Sequence, residues 1–516
     1  MRLFRQSVFS GVFVIQAIVL LGVGLWIRTW MLGTAPGVSG DEADVWARLF
    51  DFIHGNPVTW ECPTGKSISP LYIATLFPFE VIFPRSFVTL RLPGVFFGLL
   101  TAFLSFHLSR RLFGNVVGVA TGMVAFALPM HLVYSRLFIE QSLMGLTVLL
   151  SFYYALQGRS LGTLGWYGAA LLLHPVDVFV TPMILAAYFH HLYFESAATS
   201  TEKYLKSLFA VLAGLLGVAA IVWYVPADAF NNTWNHLRRI DLFPSFLYWF
   251  VRIFSGVTPV EDVSGALPSA LRFTLDVLAF GGGGLVLVLG ARQLVRRADS
   301  KGLVLFGAWA FCLLLFYVVG GFIGVRPGLQ RHSLFLMVPT IWVLVICGRA
   351  LVSEKQLLWG STAISWVFLL VFGYGFLWHF NKTGGTSHTL YQSAEVEPKK
   401  QVYDYLAKVS KDNKIRVLAE DWWVFHPVRY LAMGSDKLEM AMMFHLGRGL
   451  PWDQVEKFLE SGGYALAWRG GRLEKMLEER LGMSSRLQFT VENQGARPLL
   501  QIWKIEPTSR LVSPLG

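Results

Sequence analysis

Residues 12–46 read VFVIQAIVLLGVGLWIRTWMLGTAPGVSGDEADVW. An apolar run that begins near Val8 and lasts to about Leu32 is followed by three carboxylates, Asp41, Glu42 and Asp44. The run is about 25 residues long, against roughly 7–15 for the core of a signal peptide, so it reads as an uncleaved first membrane span. Ionised groups beside lipid are costly and tend to face a cavity or a bundle interior. The acidic triplet therefore asks for a reason.

The pattern of long apolar runs continues outward from this stretch. The chain has 516 residues, of which 54% are hydrophobic and 15% charged, against about a quarter charged in soluble globular domains. At about 20 residues per span the runs give an α-helical polytopic membrane protein of about eleven transmembrane helices. They fall near 8–32, 88–108, 115–134, 138–156, 162–175, 177–194, 206–226, 268–290, 303–323, 332–350 and 357–379. Pro175 and Asp177 interrupt what is otherwise one apolar block. SPLYIATLFPFEVIFP (69–84), broken by prolines and Glu80, reads as a segment lying on the membrane. GGGG at 281–284 sits within a span, where small residues serve close helix packing.

Arg110, Arg111, Arg159, Lys203, Lys206, Arg292, Arg296, Arg297, Lys301, Arg349 and Lys355 fall in alternate loops. By the positive-inside rule those loops and the N-terminus are cytoplasmic. These residues also account for much of the net charge of +11, so nucleic acid is not the expected partner. The expected location is the inner (plasma) membrane. The first loop, 33–87, and the C-terminal region, 382–516, then lie outside the cell. KIRVLAE (414–420), GYALAWR (463–469) and LLQIWKIE (499–506) read as strands, with PKKQVYDYLAKV and GRLEKMLEERL as helices between them. That alternation predicts a small extracytoplasmic α/β domain after a transmembrane domain of 1–381.

Each cluster of charge admits two readings. Ser39 followed by Glu42 is a capping box, and Asp41 in the first turn complements the helix dipole. Continued as a helix, the stretch carries Asp41, Asp44, Arg48 and Asp51 on one face and Trp46, Leu49, Phe50 and Ile53 on the other. An amphipathic helix on the membrane surface explains all of them, and so does a catalytic carboxylate. In YSRLFIEQSL (134–143), Arg136 and Glu140 are a helical salt bridge or a cation and an acid at the membrane depth of the first loop. Arg326, Arg331 and His332 in GVRPGLQRH (324–332) go against the positive-inside trend. Scatter accounts for that, or an anionic ligand does.

TGKS (64–67) is not a phosphate-binding loop, since the required earlier glycine is Trp60. Lys66 remains a candidate phosphate contact as a single charge. Cys62, Cys312 and Cys347 form no disulfide framework, and His174 and the pair His190–His191 lack zinc spacing.

Taken in order, these motifs resemble the family-39 glycosyltransferases. The carriers are DEA heading a helix that ends in HG, a lysine before Pro70, RLPGVFFGLLTAFLSFHLSRRLFG (91–114), YSRLFIEQSL and RHSLFLMVP (331–339). That family includes protein O-mannosyltransferases and the aminoarabinose transferases of lipid A, with the C-type membrane fold. The resemblance is good over about 1–190 and weaker over 320–345. It implies transfer of a sugar from a polyprenyl-phosphate carrier, in membrane lipid, to an acceptor on the outer face in one inverting displacement. By resemblance Asp41 is the catalytic carboxylate, Glu42 its neighbour in the motif and Glu140 the second acid. Lys66, Arg136, Arg326 and Arg331 are the expected contacts of the donor phosphate. A divalent cation, if one is used, would take Asp41, Asp44 or Glu140.

Asp44 stands where aminoarabinose transferases carry arginine, which argues against lipid A as acceptor. The loop at 227–267 is too short for the MIR domain of eukaryotic mannosyltransferases. The rival class is a transporter or flippase of lipid-linked sugars, which predicts internal repeats and charges at midspan. The sequence shows no repeat.

Overall fold

The computed structural model describes residues 11–60, 68–196, 199–224, 247–248, 250–256, 267–320, 330–378, 397–444, 450–481, 485–492 and 498–507. They divide into two compact units. The first joins Met1–Thr29 to Gly94–Gly375, and the second joins Trp30–Pro93 to Phe376–Gly516.

The helices, in chain order, are α1 (Gly11–Thr29), α2 (Gly40–Ile53), α3 (Pro70–Ile82), α4 (Phe87–Phe113), α5 (Asn115–Ala127), α6 (Pro129–Arg136), α7 (Gln141–Ala155), α8 (Ser160–Leu173), α9 (Thr181–His190) and α10 (Ser200–Tyr224). They continue as α11 (Ser269–Val277), α12 (Gly283–Arg296), α13 (Ser300–Gly320), α14 (Met337–Leu351) and α15 (Glu354–Phe372). Among the described residues six helical segments are long and apolar enough to cross a membrane. The chain is a multi-pass membrane protein.

One expected span is broken. The run 115–134 is two helices, α5 and α6, bent by 57° at Leu128. Pro129 lacks the N–H that would continue the ladder and instead starts α6. A 3₁₀ turn, Pro175–Val180, likewise separates α8 from α9, where Pro175 and Asp177 interrupt the apolar block.

Close packing in the first unit uses glycine, though not where GGGG suggested. A Cβ at any of Gly281–Gly284 would meet nothing within 4 Å, and Leu278–Gly282 is a π-helical turn. The close approach is at α4 instead. A Cβ on Gly98 would lie 2.5 Å from Ser135 Cβ, and one on Gly94 2.8 Å from the Leu137 carbonyl oxygen. This GxxxG pair lets α4 lie against the end of α6.

Asp177 is fully buried in this unit, and neither carboxylate oxygen has a hydrogen-bond partner among the described residues. A desolvated carboxyl with no partner costs free energy that an apolar side chain of similar size avoids. Asp177→Leu is therefore expected to raise the unfolding temperature by a few degrees. A lowered value in a thermal scan would contradict this.

In the second unit the C-terminal region adds α16 (Pro398–Val409), β1 (Ile415–Asp421), α17 (Trp422–Ala432), β2 (Leu438–Phe444), α18 (Trp452–Glu460), β3 (Gly463–Trp468), α19 (Arg472–Met476), β4 (Ser485–Glu492) and β5 (Pro498–Ile505). The strands form one sheet in the order β2-β1-β3-β5-β4. β1 is parallel to both β2 and β3, with Val417 opposite Met440 and Leu418 opposite Ala465. β5 is antiparallel to β3 and β4, with Leu466 opposite Ile502.

Alternate strand residues feed opposite faces. Val417, Ala419, Leu466 and Ile502 pack with Val402, Leu406, Val424 and Val428 of α16 and α17. Leu418, Ala465 and Ala467 pack with Val455, Leu459 and Leu473 of α18 and α19. The sheet is thus covered on both sides, as the expected α/β domain requires. Its strand order reverses between β1 and β3.

Candidate active site

Construction of the site begins with how α2 starts. Ser39 is extended (φ −86°, ψ 157°), and its hydroxyl accepts from the Glu42 N–H at 3.1 Å. Glu42 Oε2 accepts from the Ser39 N–H at 3.1 Å, so the capping box read in the sequence is formed.

The group that holds this start in place lies far along the chain. Arg91, fully buried near the beginning of α4, donates through Nε to Glu42 Oε1 and through Nη2 to Glu42 Oε2, both at 3.0 Å. Its remaining donors reach the carbonyls of Leu32 at 3.0 Å, Pro36 at 2.5 Å and Gly37 at 3.0 Å. All five guanidinium N–H groups are used. The signal was present in the sequence, as an arginine just inside an apolar span.

Between residues 35 and 49 every residue is buried except Asp41, which is exposed. The second position of α2 therefore presents one carboxylate from a helix start that is otherwise packed. Positive potential from the helix N-terminus favours its charge. Trp422 Nε1 of α17 donates to Asp41 Oδ1 at 3.1 Å.

The remaining acids of α2 meet cations or α17. Arg48 Nε donates to Asp44 Oδ2 at 2.8 Å, and His426 Nδ1 lies 3.3 Å from Asp44 Oδ1. Burial pushes the Asp44 carboxyl above its ordinary range, with Arg48 pulling the other way. Arg48 Nη1 also donates to Thr59 Oγ1 at 2.9 Å. Further along, Arg429 Nη2 donates to Asp51 at 2.9 Å. The polar face of α2 is therefore largely covered. Asp44 and Arg48 are buried, because that face packs on α17 rather than on water.

The second acidic cluster lies in the first unit. Arg136 and Glu140 do not share a helix face: α6 ends at Arg136, Leu137 is extended, and Glu140 stands at the head of α7. Arg136 is fully buried and donates from Nη1 to the Ile27 carbonyl. Glu140 Oε1 lies 3.6 Å from Nε2 of His174, the residue that ends α8. The structure thus groups Asp41, Glu42 and Asp44 with Arg91, Trp422 and His426, and separately Glu140 with His174. Lys66 and Arg326 lie outside the described residues, as does the side chain of Arg331.

Among the described residues no three acidic, histidine or cysteine side chains are grouped to hold a metal ion. Asp44 is already matched by Arg48 and His426. The arrangement does not fit a divalent cation at this carboxylate, since a second positive charge would be placed against Arg48. What it presents is a single exposed carboxylate on a capped and arginine-clamped helix start.

No protein-family model matches the chain, and no curated protein sequence does. Among solved structures it is similar to the crystal structure of ArnT from Cupriavidus metallidurans in the apo state, at 14% identity and a TM-score of 0.45, over 96% of this chain and 99% of that one. It is likewise similar to ArnT from Cupriavidus metallidurans bound to undecaprenyl phosphate, at 13% identity and a TM-score of 0.47, over 95% of this chain and 98% of that one.

Proposed function

We propose that the chain is a C-type membrane glycosyltransferase that moves a sugar from a polyprenyl-phosphate carrier to an acceptor on the extracytoplasmic face. The observation that carries this reading is Asp41, the one exposed residue of an otherwise buried, capped and arginine-clamped helix start. The family-39 motif places its catalytic carboxylate at this residue, and a rigid base is what a single displacement needs.

In the proposed reaction Asp41 accepts the proton of the acceptor nucleophile as that atom bonds to the anomeric carbon. The bond from that carbon to the carrier phosphate breaks, and polyprenyl phosphate leaves with its electron pair. Cations near the leaving phosphate lower the barrier. Lys66, Arg326 and Arg331 are assigned to that role. Glu42 acts through Asp41 by fixing the helix start, and Glu140, beside His174, is the second acid. Arg136 is placed by the same motif order near the phosphate. A plasma-membrane location with a cytoplasmic N-terminus follows from the distribution of basic loops.

The test uses purified full-length protein, a panel of radiolabelled hexose- and pentose-linked polyprenyl phosphates, and total membrane as acceptor source. Acceptor-dependent release of polyprenyl phosphate from at least one donor is expected. A chain that consumes none of the panel is not this enzyme.

A further inference from the structure

The C-terminal α/β region reads at first as an appendage, yet its α17 touches each acid on the polar face of α2 in turn. Asp41 meets Trp422, Asp44 meets His426, and Asp51 meets Arg429. From this in-register contact we infer that Trp422 is a positioning residue for Asp41 and that His426 holds Trp422 in place. The C-terminal region would then be part of the catalytic machinery. The inference rests on the proposed function.

Trp422 is fixed from several sides. It is the first residue of α17, directly after Asp421, whose side chain caps the helix by accepting from the Val424 N–H at 3.1 Å. The other Asp421 oxygen accepts from Trp468 Nε1, at the end of β3, at 3.0 Å. Trp422 thus emerges beside the carboxyl ends of β1 and β3. The residue is 4% exposed, and its ring centroid lies 3.9 Å from that of His426, one turn further along.

The helix start is shaped to receive this indole. A Cβ on Gly40 would lie 2.0 Å from Trp422 Cδ1, 2.3 Å from Nε1 and 2.6 Å from its carbonyl oxygen. No other side chain fits at position 40 without displacing the ring. A buried indole N–H needs an acceptor, and here the acceptor is the presented carboxylate. A neutral donor orients a base without bringing a counter-ion. The same bond favours the ionised form of Asp41, the form able to accept a proton.

The test is Trp422→Phe in the full-length protein, which keeps an aromatic ring and removes the N–H. The expected result is a kcat lowered about tenfold, the worth of one hydrogen bond to a charged group, at unchanged donor KM. The acid limb of the pH–rate profile should move to higher pH. His426→Ala removes the ring that packs against Trp422 and should lower kcat in the same direction.

A second readout does not depend on activity. In a double-mutant cycle the unfolding temperatures of Asp41→Ala, Trp422→Phe and the pair should be non-additive, because both remove one shared bond. Wild-type kcat and pH profile in both ring variants, with additive unfolding temperatures, would overturn the inference. If instead the wild type transfers no sugar while the cycle remains coupled, the glycosyltransferase reading falls and the Trp422–Asp41 link stands.

Discussion

Asp41→Asn is expected to lower sugar transfer by a factor of about 10²–10⁴, the range for losing a positioned general base. The amide has the same shape and its Oδ1 still accepts from Trp422 Nε1, so the contact at 3.1 Å is retained. What it loses is the ability to take the proton that the proposed reaction assigns to Asp41. Because Asp41 is exposed and the capping belongs to Ser39 and Glu42, the unfolding temperature should hardly move. The measurement pairs polyprenyl-phosphate release with a thermal scan. Normal transfer by a folded Asp41→Asn protein would remove Asp41 from the chemistry.

The second large effect is structural. Arg91→Met leaves the fully buried Glu42 carboxylate without its guanidinium and strips donors from the carbonyls of Leu32, Pro36 and Gly37. Breaking a buried ion pair from one side costs about 3–5 kcal/mol. In unfolding temperature that is a drop of about 3–5 °C for a chain of this length, accompanied by loss of transfer as α2 loses its anchor. Glu42→Gln added to Arg91→Met should recover part of the loss, because the uncompensated charge is then gone. Arg91→Lys should not recover it, since an ammonium has three donors and cannot span five acceptors. An Arg91→Met protein as stable as wild type would show that the clamp contributes little.

How much of this was legible beforehand depends on how local each feature is. The capping box was readable because its partners are three residues apart and need only a helix start between them. Strands β1, β3 and β5 were readable as short apolar runs. β2 (LEMAMMF) was missed, as a methionine-rich strand without clear alternation. β4 was missed because its residues are mostly exposed or half-buried. Helix α17, WWVFHPVRYLA, was missed for a different reason. It carries Pro427 and is apolar on nearly every side, since the sheet covers one face and α2 the other.

What covers the polar face of α2 was illegible on the same ground. Asp44, Arg48 and Asp51 share a face by helical geometry, and spacing cannot say whether that face meets water or another helix. Only the fold places α17 there. Asp44 shows this: it pairs with Arg48 one turn on and lies 3.3 Å from His426 of α17.

The sequence by itself determined the membrane class, the apolar segments, the helix start at Ser39 and the identity of the residue it presents. These follow from composition and from contacts within one turn of chain. Tertiary structure decided which groups complete that start. Arg91 reaches Glu42 across 49 residues, and Trp422 reaches Asp41 across 381. Hydrogen bonds at such separations exist only once a fold has met the entropy of closing the chain between them, and no local pattern encodes them.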